Sequence, residues 1–175
     1  MKLVAITGSL RATSSNAALV RAVEHLLAPT DTLHSYDALA RVPAFSPDLD
    51  VDPIPEPVAA LRAAIGGADA LVITSPEYAH GMPGSLKNAL DWLVSAAEPI
   101  HKPVMLVCAS PGGAAHAHAQ LSEVLRTMSM VLVDGGAHVF SRAKLDANGE
   151  VGDPAIVAAL RRGLDELRQR ASHTT

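Results

Sequence analysis

The chain is short of several things, and each shortage removes a class of protein. It has one cysteine, Cys108, in 175 residues. That excludes an internal disulfide and any multi-cysteine metal centre. Positive charge is not in excess either: the formal net charge is −4, whereas a protein tracking a phosphate backbone would show a basic face and a high pI. The expected ligand is therefore small, with neither nucleic acid nor a membrane as partner. Long apolar runs are missing. The opening Leu3-Val4-Ala5-Ile6 stops at Thr7 and Gly8, too short for a signal-peptide core or a membrane span, and a reducing cytoplasm is the expected setting. Aromatics are scarce, with only Tyr36, Phe45, Tyr78, Trp92 and Phe140, so one that falls in a binding loop is informative.

What is present is an ordinary globular composition, 49% hydrophobic and 18% charged. A chain of this size buries roughly 70% of its unfolded surface in one core, and residues 1–175 read as a single domain. Short apolar runs alternate with amphipathic stretches, the rhythm of an α/β fold with a parallel sheet between helices. Leu3–Thr7 and Thr32–Tyr36 are expected strands. A proline-punctuated loop follows, then a short helix marked by Val58, Leu61 and Ile65. Ala70–Thr74 and Val104–Ala109 lack alternation, as strands buried on both faces do, and Met130–Val133 opens a fifth strand. Leu86, Ala89, Leu90, Leu93, Val94 and Ala97 form a helical stripe, with Lys87, Asn88, Asp91, Ser95 and Glu98 facing away. Asp153-Pro154 reads as an N-cap and first position of a last helix.

In a doubly wound sheet, ligands bind beyond the carboxyl ends of the strands, which directs attention to three loops. Gly8–Asn16 runs from a strand into a helix N-terminus, where free backbone NH groups favour an anion. Ser9, Thr13, Ser14, Ser15 and Asn16 add donors, and Arg11 adds a fork-shaped charge suited to phosphate oxygens. The same serines would also serve as plain helix caps. The loop is neither an NTP-binding P-loop nor G-x-G-x-x-G. Pro76-Glu77-Tyr78-Ala79-His80-Gly81 offers an aromatic ring and a glycine where a flat ligand can approach. Ser110-Pro111-Gly112-Gly113 adds small residues and backbone donors.

Two of these motifs together resemble the NAD(P)H-dependent FMN reductase family. G-S-x-R-x-x-S-x-N is met by Gly8, Ser9, Arg11, Ser14 and Asn16, and P-E-Y followed by P-G-x-L-K-N-A-x-D-W by Pro76–Tyr78 and Pro83–Trp92. The resemblance implies a flavodoxin-like three-layer fold with a five-stranded parallel sheet of order 2-1-3-4-5. It also implies non-covalent FMN, with NADPH or NADH as electron donor and a flavin, quinone or azo compound as acceptor. By it, Ser9, Arg11, Ser14, Ser15 and Asn16 would hold the FMN phosphate. Pro76, Glu77, Tyr78, Ala79, His80 and Gly81 would border the isoalloxazine ring, and Ser110, Gly112 and Gly113 would complete that site.

The chain departs from the family pattern at Ala79, where many relatives carry Asn, and at Ala114, Ala115 and His116, where they often place glycine and arginine. Both bear on substrate choice. No protein nucleophile is required, because the flavin carries the chemistry, and His80 is the candidate proton donor. His116 and His118 have a metal-pair spacing without an evident third ligand, so no metal is assigned. Cys108 reads as a small core residue. Trp92 falls off its helix stripe, which places it on a flank at the interface of an expected homodimer or tetramer. Cys108-Ala109-Ser110-Pro111-Gly112 nearly spells a hydrolase elbow, but Pro111 has no NH for an oxyanion hole. A flavodoxin-type electron carrier or flavin-binding sensor would use the same loops and is the alternative to a reductase.

Overall fold

A computed structural model describes residues 1–11, 13–133, 138–140 and 150–172. Strands and helices alternate from the start: β1 (Lys2–Thr7), α1 (Ser15–His25), β2 (Thr32–Tyr36), α2 (Glu56–Gly66), β3 (Ala70–Ser75) and α3 (Gly84–Asp91). They continue as β4 (Pro103–Ala109), α4 (Ala115–Thr127), β5 (Val131–Leu132), β6 (His138–Phe140) and α5 (Pro154–Ala171). The proline-rich loop after β2 carries two short 3₁₀ turns, Leu39–Arg41 and Pro47–Leu49.

The sheet has the expected order β2-β1-β3-β4-β5, with every pairing parallel. Its last position is filled in two pieces. β5 pairs with Pro103 and Val104, and β6 continues along Val107–Ala109 of the same strand. β3 and β4 are buried at every residue, which their unbroken apolar sequence requires. Alternate residues feed two apolar layers. Val4, Ile6, Leu71 and Ile73 meet α2, α3 and α4 on one face, while Leu3, Ala5, Val72 and Met105 meet α1 and α5 on the other. The last helix begins as its sequence dictates, with Asp153 Oδ1 accepting from the Ala155 NH at 2.8 Å and Pro154 at the first position.

The helix after β3 differs from its reading. It ends at Asp91, and Leu93, Val94 and Ala96 then donate to carbonyls three residues back. The Trp92 carbonyl accepts instead from the Arg62 guanidinium, at 3.1 and 2.5 Å. Those tighter turns break the 100° phase on which the stripe was counted. Trp92 swings inward and is fully buried, its indole NH donating to the Pro43 carbonyl at 2.8 Å and its ring meeting Phe45 edge-on at 5.2 Å. Val94 swings outward and is 69% exposed. Asn88, expected to face away, binds the proline-rich loop at Pro43 and Phe45. Trp92 is therefore a core residue of its own chain, and the flank position expected for it is wrong.

Candidate functional site

The strand order reverses between β1 and β3, and ligands in such sheets bind beyond the carboxyl ends at that point. Three loops meet there. Gly8 leaves β1 with its NH bonded to the Thr74 carbonyl at 2.7 Å. A Cβ on it would lie 2.9 Å from the Leu86 side chain, so this glycine serves close packing of α3 on β1. Ser14 is the N-cap of α1, its Oγ accepting from the Ala17 NH at 3.0 Å, and its own hydroxyl hydrogen remains to donate. The NH groups of Ser15 and Asn16 lie in the first turn, where a helix has no internal acceptors for them. Arg11 is exposed and has no ion-pair partner among the described residues.

Asn16 is only 2% exposed, and its Nδ2 donates to the Ala109 carbonyl at 3.0 Å, tying the first loop to the end of β4. Its Oδ1 is buried with no partner among the described residues. An amide oxygen only accepts, so this atom suits a ligand hydroxyl and not a phosphate oxygen. A cavity of about 70 Å³ is walled by Ser9, Arg11, Asn16, Pro76, Tyr78 and Ser110 among others. All three loops thus reach one small polar space.

The second loop holds a two-residue turn. Tyr78 and Gly81 exchange both backbone hydrogen bonds, at 2.9 and 3.0 Å, and Ala79 and His80 between them have φ of 49° and 59°. Both therefore sit in the left-handed region that glycine and asparagine favour. The turn is lashed to α4 twice. Glu77 Oε2 accepts from the Ala117 NH at 2.9 Å, and Gln120 Oε1 accepts from the Met82 NH at 2.8 Å. α4 has no side-chain cap of its own at Ala114, so Glu77 supplies one from another element. Tyr78 is 53% exposed. The His80 and His116 rings stack nearly parallel, with centroids 4.3 Å apart.

In the third loop Ser110 reaches the Glu77 carbonyl at 3.4 Å. Gly113 has φ of 90°, which requires glycine, and a Cβ on Gly112 would enter open space. Cys108, just behind, is fully buried, and burial pushes its thiol up to about 12, with the Glu77 carboxylate adding to it. It is a packing residue.

A profile described as NADPH-dependent FMN reductase matches residues 1–144. The chain belongs to that family. It is 35% identical over 161 residues to a 2-hydroxy-1,4-benzoquinone reductase of Burkholderia sp, covering 86% of this chain and 85% of the relative. It is 30% identical over 174 residues to an NAD(P)H-dependent FMN reductase of Pseudomonas aeruginosa, covering 96% and 94%. The flavoenzyme NAD(P)H:acceptor oxidoreductase FerB from Paracoccus denitrificans superimposes with a TM-score of 0.84 at 27% identity, covering 98% and 97%. This FMN reductase family member is an NAD(P)H-dependent oxidoreductase that uses FMN, and the carrier or sensor alternative gives way to that.

The residues present fit such a flavin. A lone arginine, hydroxyl donors and free helix NH groups suit a phosphate, while an unpartnered buried acceptor suits a polyhydroxyl chain. The reading of the sequence missed Gln120 and left Glu77 undecided. Neither carries a local signal, because each acts on a residue roughly forty positions away that only the fold brings near.

Proposed function

We propose that this flavin reductase, one domain spanning residues 1–175, reduces quinones. The observation that carries the proposal is the meeting of Arg11, Asn16, Tyr78 and Ser110 around one cavity. In this reading Ser9, Arg11, Ser14 and Ser15 hold the FMN phosphate, and the Asn16 Oδ1 accepts from the ribityl chain. Pro76–Gly81 and Ser110, Gly112 and Gly113 border the ring. When bound, FMN supplies a two-electron relay between the nicotinamide and the acceptor.

The chain's own residues do the rest. The Glu77 and Gln120 links hold the second loop rigid against α4, so the backbone NH groups of Ala79 and His80, which the Tyr78–Gly81 pair leaves unused, are offered to the ring from fixed positions. Tyr78 covers one side and excludes water. An imidazole NH of His80, held by its stack on His116, supplies the proton that a reduced quinone oxygen must gain. The quinone class rests on the Burkholderia relative and on the exposed ring of Tyr78 at the cavity, with the exposed His80–His116 stack further along the same loop.

A homodimer is part of the same reading. Arg62 and Ser95 both bond Asp50, and this link is flanked by exposed Leu49, Val51 and Val94. That apolar face suits a second copy of the chain better than Trp92 does. The lone, buried Cys108 suits the cytoplasm. Steady-state oxidation of NADH and NADPH by FMN-reconstituted protein, with and without 1,4-benzoquinone, tests the reading. Quinone-dependent turnover is expected, and none with either nucleotide would overturn it.

A further inference from the structure

One pair of side chains beside the site has chemistry that nothing else in the fold uses. His116, the second residue of α4, lies flat against His80 of the two-residue turn, the rings 12° from parallel with centroids 4.3 Å apart. Both residues are exposed, and neither imidazole has a hydrogen-bond or ion-pair partner among the described residues. An imidazole keeps at least one NH to donate whether it is neutral or charged. Rings stacked in this way run edge beside edge, so the pair presents two donors side by side.

The surroundings favour an anion there. His80 follows Tyr78, which walls the polar cavity, by two residues, so their Cα atoms are at most about 7 Å apart. Two carboxylates of the same loop and helix have to be weighed against it. Glu77 spends its Oε2 on the Ala117 NH, at the helix end whose positive dipole offsets its charge. Glu123 is exposed and two turns further on, about 10 Å along the α4 axis. Arg11 is committed to the flavin phosphate, which leaves the two imidazoles to meet a second negative charge.

We propose that His116 selects acceptors that carry an acidic group beside the reacting carbonyl. The carbonyl oxygen lies at the His80 NH and the neighbouring oxyanion, a carboxylate, a sulfonate or an ionised hydroxyl, at the His116 NH. Two adjacent donors recognise that pair of oxygens, and one alone does not discriminate it from a plain quinone. The proposal rests on the reading of the protein as a quinone reductase with His80 at the acceptor. The reaction balances without further reagents: NAD(P)H, one proton and the quinone give NAD(P)+ and the hydroquinone, and the acidic group is carried through unreacted.

Steady-state kcat/KM is measured for 1,4-naphthoquinone-2-sulfonate, whose charge adjoins a carbonyl, and for the 6-sulfonate, whose charge is remote from both. Comparing the ratio of the two between variants cancels their different reducibility and any general loss of activity. His116→Phe keeps a flat ring on His80 and removes the donor, and the ratio should fall about threefold to fivefold, the scale of one exposed charge contact. His116→Arg supplies a planar cation that also stacks and should return the ratio to the parental value or above. Added salt should lower the ratio in the parent and leave it unmoved in His116→Phe. The redox-inert 2-naphthalenesulfonate, titrated into the FMN-loaded protein and followed by the flavin band, should bind His116→Phe more weakly by a similar factor. A ratio that His116→Phe leaves unchanged, or equal binding of the inert sulfonate to both proteins, overturns the proposal. Absence of turnover with both quinones strikes the quinone reading instead, and the inert sulfonate, which needs no turnover, still decides the oxyanion contact.

Discussion

Glu77 and Ala117 are joined across the mouth of the site: the carboxylate that follows β3 accepts the backbone NH of α4 at 2.9 Å. One bond thus caps a helix that has no cap of its own and fixes the loop that would border the flavin ring. Glu77→Ala should lower stability by about 1–2 kcal/mol, the usual loss for a missing cap, and weaken FMN binding as well. Glu77→Gln keeps an acceptor oxygen and should lose less than half as much. Thermal unfolding with and without FMN measures both.

Ala79 and His80 hold left-handed backbone conformations without being glycine or asparagine. For an L-residue this costs roughly 1–2 kcal/mol, which asparagine lowers by bonding locally. Ala79→Asn should therefore stabilise the protein by about 0.5–1 kcal/mol, seen as a higher urea midpoint at unchanged slope. The asparagine that the family resemblance leads one to expect at this position would thus have a backbone reason.

Trp92 and Val94 should behave oppositely. Trp92→Phe removes core volume and the bond to Pro43, and should cost about 1–3 kcal/mol while leaving the molecular mass in solution unchanged. Val94→Asp alters an exposed side chain and should shift a dimer toward monomer with little loss of monomer stability. Sedimentation beside chemical unfolding of both variants decides the matter.

The alternation of strands and helices was legible because it rests on local chemistry, whereas the strand order came with the family resemblance and not from any local pattern. Apolar runs without alternation gave β3 and β4, Asp153-Pro154 announced α5, and serines before Asn16 announced α1. The reading failed where a distant group intervened. Arg62 captures the Trp92 carbonyl from α2 and ends α3 early, and nothing within residues 84–97 reveals that. The split of the fifth strand position into β5 and β6 depends likewise on what β4 offers along its edge. In the site, the residue types were legible but their tasks were not. Asn16 ties β4 with one atom and leaves an acceptor free with the other, a division only its neighbours determine.

Asp31 gives the fold an acid limit. Burial raises its carboxyl, but hydrogen bonds from the Met1 ammonium and from Arg168 of α5 more than offset that and hold it below the usual range. A group depressed in the folded state contributes its stability above its unfolded value and loses it as pH falls through the folded value. Stability should therefore fall as pH drops below about 4, the ordinary aspartate range. Asp31→Asn should flatten that limb and cost about 1–3 kcal/mol at neutral pH, as denaturant unfolding across pH will show.

Arg11 is the cation of the first loop without an ion-pair partner among the described residues, and the central claim is that it and the α1 N-terminus hold the phosphate of FMN. The visible absorbance of FMN titrated with purified protein tests this most directly. One FMN per chain should bind with a shifted flavin band, anaerobic NADH should bleach it, and Arg11→Ala should bind about tenfold to a hundredfold more weakly. A folded protein that leaves the FMN spectrum unchanged, or an Arg11→Ala variant that binds FMN as tightly as the parent, would contradict the account.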